Sequence, residues 1–178
     1  MTQILSERIE FATPWFELVS KQVSGEAGPY YALRMPDYVT VVAFTAEEEI
    51  VLVRQYRPAV ERNTLELPAG RVEKDETPEQ SARRELAEEC GFEAGEMELL
   101  GTLISDTGRN ENRLWCYLAK ELKAVGPGYV PEPGVETVLV KREKLGELLS
   151  NGEFDHALHL AALMLAISKH GPQLLALK

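Results

Sequence analysis

The sequence predicts an α/β (α+β) sandwich built on a mixed sheet, and three observations predict it. Short β-branched runs recur along most of the chain, bounded by Gly, Pro and acidic turns. One strongly signalled helix lies among them, and further helical stretches close the chain. No G-x-G-x-x-G opens a helix anywhere, which removes the dinucleotide-binding doubly wound alternative. A length of 178 residues suits one domain with a small N-terminal extension.

The elements follow in order. Residues 8–20 and 28–35 are expected to be two short strands, with Gly25 and Gly28 in the turn between them. Residues 38–44 and 50–57 are β-branched runs joined by an acidic turn, a hairpin signal. A short strand at 65–67 runs into Pro68-Ala69-Gly70. Residues 77–90 carry helix signals at both ends: Thr77 as N-cap, Pro78 in the first turn, Gln80 completing a capping box, and Gly91 as the stop. Strands are expected at 97–105, 113–122 and 135–141, with loops at 106–112 and 124–134 between them. Helical stretches at 142–149 and 154–169 end before Gly171-Pro172.

Composition excludes several classes of function. The formal net charge is −10, and no basic face offers itself to nucleic acid. No run of 18 apolar residues is present to span a bilayer, and the first residues lack the basic-then-apolar pattern of a signal peptide. Cys90 and Cys116 have no metal-type spacing and read as buried thiols of a reducing compartment, so a cytoplasmic location is expected. An acidic protein that handles anionic phosphates needs a local source of positive charge, and a metal ion is one; acidity that merely aids solubility is the plainer alternative.

The chemistry concentrates in residues 70–92, GRVEKDETPEQSARRELAEECGF. On a helix, Glu85, Glu88 and Glu89 stand at i, i+3 and i+4 and project from one face. Like charges so spaced cost the helix roughly 0.2–0.5 kcal/mol per pair. A divalent cation reverses that sign, and hard oxygen ligands suit Mg²⁺, which also contacts substrate phosphates. A solvated acidic face is the other reading. Ala82, Leu86 and Cys90 line the opposite side and dock the helix on a core. Arg84 stands next to the acidic cluster as a candidate ion-pair partner.

This segment resembles the Nudix box, G-x5-E-x7-R-E-U-x-E-E-x-G-U, with U a bulky apolar residue. Gly70, Glu76, Arg84, Glu85, Leu86, Glu88, Glu89, Gly91 and Phe92 fill every defined position, Phe92 being aromatic where an aliphatic residue is usual. Seven fixed identities would coincide by chance with a probability near ~10⁻⁶ at ordinary residue usage, so the motif is specific. The resemblance implies a Nudix α/β/α sandwich, with an N-terminal β extension at 1–36 ahead of a hydrolase domain at 37–178. It implies Glu85 and Glu89 as the main ligands of Mg²⁺ (Mn²⁺ also serving), Glu88 assisting in binding and catalysis, and the carbonyl of Ala69 as a further ligand. Glu76 and Arg84 are implied to hold the loop–helix–loop in shape.

The upstream run VLVRQYRPAVERNTLELPAGRVEKDE resembles the ADP-ribose and ADP-sugar pyrophosphatases. That likeness implies phosphate contact by Arg57 and a weaker role for Glu66. It implies a homodimer built by the extension, whose Trp15, Phe16, Tyr30 and Tyr31 either stack on a base or simply pack. The segment Ser105–Arg113 lacks the proline usual there and adds Arg109 and Asn110, which shifts the expectation from ADP-ribose alone to nucleoside diphosphate sugars in general, with Arg109 at the sugar. A base from a late mobile loop is expected, Glu132 first and Glu136 second. The implied reaction is Mg²⁺-dependent hydrolysis of a nucleoside diphosphate sugar to a nucleoside monophosphate and a sugar phosphate. Two alternatives stay open: a non-hydrolytic sensor of ADP-ribose-like ligands, and a pyrophosphatase for nucleoside triphosphates or dinucleotides. His156 and His159, i and i+3, show no third metal ligand in the sequence and are expected in surface or partly buried roles, as is His170.

Overall fold

The computed structural model describes residues 1–175, so the last three residues of the expected 37–178 domain lie outside the described residues. The chain opens with β1 (Ile4–Ala12), β2 (Glu17–Val23) and β3 (Tyr30–Arg34), an antiparallel sheet in the order β1-β2-β3. The single strand expected over 8–20 is therefore two. Thr13 and Pro14 break it: the Thr13 hydroxyl accepts from the backbone N–H of Trp15 (3.1 Å) and of Phe16 (2.9 Å), and Pro14 has no N–H to continue a ladder.

Next come β4 (Tyr38–Ala43), β5 (Glu49–Arg57), β6 (Arg62–Glu66), β7 (Ala69–Arg71) and α1 (Pro78–Cys90). They are followed by β8 (Phe92–Ile104), β9 (Arg113–Ala124), β10 (Val135–Lys141), α2 (Arg142–Ser150) and α3 (Ala157–His170). A mixed sheet runs β7-β4-β9-β8, with β4 and β9 parallel, and a second sheet runs β10-β5-β6. The hairpin expected from 38–44 and 50–57 does not form. The two strands pair only at the bridge Phe44–Ile50, because β4 already has β7 and β9 on its edges and β5 has β10 and β6.

Strand β4 and residues 50–53 of β5 are buried on both faces, as strands covered by helices are. Val39, Val41, Val51 and Val53 face one apolar cluster, which Ala82, Leu86 and Cys90 of α1 complete. Val42, Ile50 and Leu52 face the other, closed by Leu145 of α2 and by Ala162, Leu163 and Ala166 of α3. This is the α/β/α sandwich that the resemblance implies.

The ends of α1 match their sequence signals. Thr77 and Gln80 make the reciprocal capping box, and Gly91 ends the helix at φ 69°. The third helix starts at Ala157 rather than at 154, with His156 as its N-cap. Phe154 is spent instead as a buried core side chain ahead of the helix.

Candidate active site

Strands β4, β5, β6, β7 and β9, the second half of α1 and the loops beside them line one cavity of about 940 Å³. The docked face of α1 fixes its rotation, which turns Glu85, Glu88 and Glu89 toward the turn at 68–70. Glu85 and Glu89 are buried, at 9% and 4% exposure, while Glu88 stays open. The backbone N–H of Ala69 donates to Glu89 Oε2 at 2.9 Å. Gly70 lies against Glu85 so closely that a Cβ there would sit 1.9 Å from Oε1. That contact is the physical reason for glycine at this position.

Electrostatics single out this cluster. Burial pushes the Glu89 carboxyl up to about 8, and the charges of Glu85 and Glu132 add to the rise. Burial also raises Glu85, helped by Glu88 and Glu132. Carboxylates crowded out of water in this way gain most from a cation. Arg84 supplies part of the positive charge, donating to Glu76 (3.0 Å), Glu85 (2.8 Å) and Glu88 (3.0 Å). Ser81 donates to the same Glu76 at 2.6 Å, so Glu76 and Arg84 brace the loop against the helix.

Across the cavity, Arg57 forms a two-pronged pair with Glu66, Nε at 2.8 Å and Nη2 at 2.7 Å. Nη1 is left for another partner. Burial works to raise the pKa of Glu66, but the Arg57 fork and a 2.6 Å bond from Thr64 outweigh it and hold it at about 2. His159 is buried beside this pair, and burial, then His156, pushes it down to about 3. Its Nδ1 accepts from the backbone N–H of Leu67 at 3.0 Å, so the neutral ring carries its proton on Nε2. Ligand atoms of Glu66, His156 and His159 lie within 4.8 Å of one another. Hydrogen bonds already occupy both oxygens of Glu66 and one ring nitrogen of His159, which fits a brace for Arg57 better than a metal site.

The structure thus brings Arg57, Glu66, Ala69, Glu85, Glu88, Glu89, Glu132 and Trp15 to one cavity. Trp15 reaches it from the extension, with the Arg71 guanidinium 4.8 Å from its ring. Five other residues singled out in the sequence, Phe16, Tyr30, Tyr31, Arg109 and Glu136, do not line it. Glu136 pairs with Arg54 at 3.3 Å on the strand surface. The Tyr30 hydroxyl donates to the Gly108 carbonyl, and the Arg109 guanidinium lies 5.9 Å from the Tyr30 ring. His156 and His159, expected in surface or partly buried roles, line the cavity instead, with His159 buried; their third neighbour Glu66 is about 90 residues away in the chain, and Asn112 and Tyr38 are lining residues that the sequence did not single out.

Comparison with known proteins gives the family and the fold. A family model described as NUDIX domain matches residues 35–163. The chain is 39% identical over 99 residues to a methanol dehydrogenase activator of Bacillus methanolicus, covering 56% of this chain and 54% of that protein. It is 35% identical over 102 residues to an ADP-ribose pyrophosphatase of Bacillus subtilis, covering 57% and 55%. The chain therefore matches about half the length of these relatives. A solved structure described as an ADP compounds hydrolase shares the fold, at a TM-score of 0.81 and 23% identity, over 97% of this chain and 95% of that one.

Proposed function

The chain belongs to the Nudix family, and on that premise we propose that it hydrolyses the diphosphate of a nucleoside diphosphate sugar, ADP-ribose or an ADP-hexose, to a nucleoside monophosphate and a sugar phosphate. One observation carries the reading. One cavity is lined by three carboxylates that stand at i, i+3 and i+4 on α1 and by Arg57, whose Nη1 takes no part in its pair with Glu66. The ADP-ribose pyrophosphatase of Bacillus subtilis supports the choice of substrate.

The donor set fits a hard divalent ion: all ligands are oxygens, two are buried carboxylates, and their charge is otherwise offset only in part by Arg84. Glu85, Glu88, Glu89 and the carbonyl of Ala69 would hold Mg²⁺ or Mn²⁺. Bound there, the ion neutralises phosphate charge and lowers the pKa of its water. Arg57 grips the diphosphate through Nη1 and is kept from swinging by Glu66. Glu132, on the loop before β10, takes the proton of the attacking water; Glu136 stands second because its partner Arg54 holds it outside the cavity. Trp15 offers an aromatic face to the base. The cavity is large enough for a ligand of nucleotide-sugar size. To test the reading, kcat/KM is compared over ADP-ribose, ADP-glucose, a non-adenine diphosphate sugar and several nucleoside triphosphates with Mg²⁺. The diphosphate sugars are expected to lead, and a preference for triphosphates would overturn it.

Gly70→Ala tests the placement of Glu85. The new Cβ displaces the carboxylate from the cluster, and a shift of about 1 Å costs about 10²-fold in rate. We expect that loss in kcat/KM with a folded protein by circular dichroism. Wild-type kinetics would show that Glu85 needs no such position.

Residues 1–36 act in this reading as a dimerising extension to a hydrolase domain from 37 onward. Every residue of β1 is exposed, including Ile4, Leu5, Ile9 and Phe11, and only one edge of that strand is paired. A second copy of the chain would cover both features. Light scattering at micromolar concentration is expected to give twice the monomer mass, and a monomer would refute the assignment. No helix among the described residues is long and apolar enough to cross a membrane.

A further inference from the structure

Among the described residues, Asn112 Oδ1 is the one buried side-chain oxygen or nitrogen with no hydrogen-bond partner. The residue is 7% exposed and lines the cavity. Buried amides are ordinarily satisfied, and an orphan in a ligand cavity points to a group that arrives with the ligand. Its surroundings cannot supply the missing bond. Asp37, the charged neighbour, has no proton to give and is already occupied, accepting from Arg113 N–H (2.8 Å) and Trp115 Nε1 (2.8 Å). The nearby Asn110 donates to Ser105 Oγ at 2.8 Å, which closes that pair on itself. The bonds from Asn110 to Ser105 and from Arg113 to Asp37 hold the residues on either side of Asn112, whose Oδ1 stays unpaired.

We propose that Asn112 is a specificity-determining residue that binds a vicinal diol of the substrate, its Nδ2 donating to one hydroxyl and its Oδ1 accepting from the other. The inference rests on the function proposed above. Phosphate oxygens only accept, so they cannot satisfy Oδ1. A hydroxyl both donates and accepts, and an adjacent pair matches both ends of a carboxamide whichever way the amide is turned. The lining residues tied to this stretch of chain are uncharged: Asn110 with its partner Ser105, and Leu114 with its strand partner Tyr38, whereas the diphosphate is assigned above to Arg57 and the carboxylate cluster. Arg109, which the sequence nominated for contact with the sugar, stacks on Tyr30 away from the cavity; Asn112 takes that part.

A nucleoside diphosphate sugar has two sources of such a diol, the nucleoside ribose and the terminal sugar. The test is a cycle of wild type and Asn112→Leu on three substrates: ADP-ribose, its 2′-deoxyadenosine analogue, and the ethyl ester of ADP, which lacks the terminal diol. On ADP-ribose, Asn112→Leu is expected to lose about tenfold or more in kcat/KM. On the analogue that lacks the bound diol the same substitution should cost little. The identity of that analogue names which sugar Asn112 holds. An equal loss on all three substrates would overturn the proposal, as would no loss on ADP-ribose. Wild type that cleaves none of the three sinks the proposed function instead, which separates the two failures. The thermal midpoint guards against a merely structural role. Replacing an unpaired buried amide by an isosteric apolar group should leave it unchanged or higher, and a marked fall would count against the assignment.

Discussion

Glu89→Gln is expected to lower kcat/KM on every nucleotide sugar by about 10³-fold or more while the protein stays folded. The substitution keeps the shape of the side chain and the oxygen that accepts from Ala69 N–H at 2.9 Å. It removes a charge that burial already disfavours, with the carboxyl pushed up to about 8. The apolar docking of α1 through Ala82, Leu86 and Cys90 is untouched. Loss of activity therefore cannot come from loss of the helix. A second readout needs no substrate. Mg²⁺ should raise the thermal midpoint of wild type, because a ligand of the native state stabilises it, and should raise that of Glu89→Gln much less. Near-wild-type turnover, or an undiminished Mg²⁺ shift, would remove Glu89 from the metal site.

Arg57→Ala should damage both binding and stability. Without its fork, every diphosphate substrate loses the same contact, so kcat/KM should fall by roughly 10²-fold for each alike. A contact common to all substrates cannot change their ranking. Stability should fall by about 1–3 kcal/mol, less than for a fully buried pair because Arg57 itself is half exposed. The cause is Glu66, buried and left with Thr64 alone. The pH dependence follows from its depressed pKa. Stability from the pair is fully present above the unfolded value of about 4.5 and is lost as pH falls through that value toward about 2. The deficit of Arg57→Ala against wild type should thus be full at pH 7 and shrink below pH 4.5. Thermal unfolding of both proteins across that range checks it. A pH-independent deficit would mean that Glu66 is not what the arginine stabilises.

How much was legible in advance depended on the range of the interaction. Thr77, Pro78, Gln80 and Gly91 mark both ends of α1 through contacts within a few residues, and the structure has both ends where they are marked. The spacing of Glu85, Glu88 and Glu89 likewise follows from helix geometry alone. The supposed hairpin failed for the opposite reason. Strand β4 and residues 50–53 of β5 are apolar on both faces, so no alternation reveals their neighbours, and other strands, among them the distant β9 and β10, claim their edges. Strand β7 and the break at Thr13-Pro14 were too short to carry a periodic signal. The bond from Leu67 N–H to His159 beside the Arg57–Glu66 pair spans 92 residues, and the unpaired Oδ1 of Asn112 exists only because the fold buries it. Neither leaves a pattern in the sequence.

The central claim is that this cavity hydrolyses the P–O–P bridge of the diphosphate with a divalent ion held by Glu85, Glu88 and Glu89. The most direct measurement is product analysis of ADP-ribose incubated with the protein, with Mg²⁺ and with excess chelator. The account predicts AMP and ribose 5-phosphate in equal amounts with Mg²⁺, and neither with chelator. Full turnover in chelator, or intact ADP-ribose beside rapid release of pyrophosphate from nucleoside triphosphates, would contradict it.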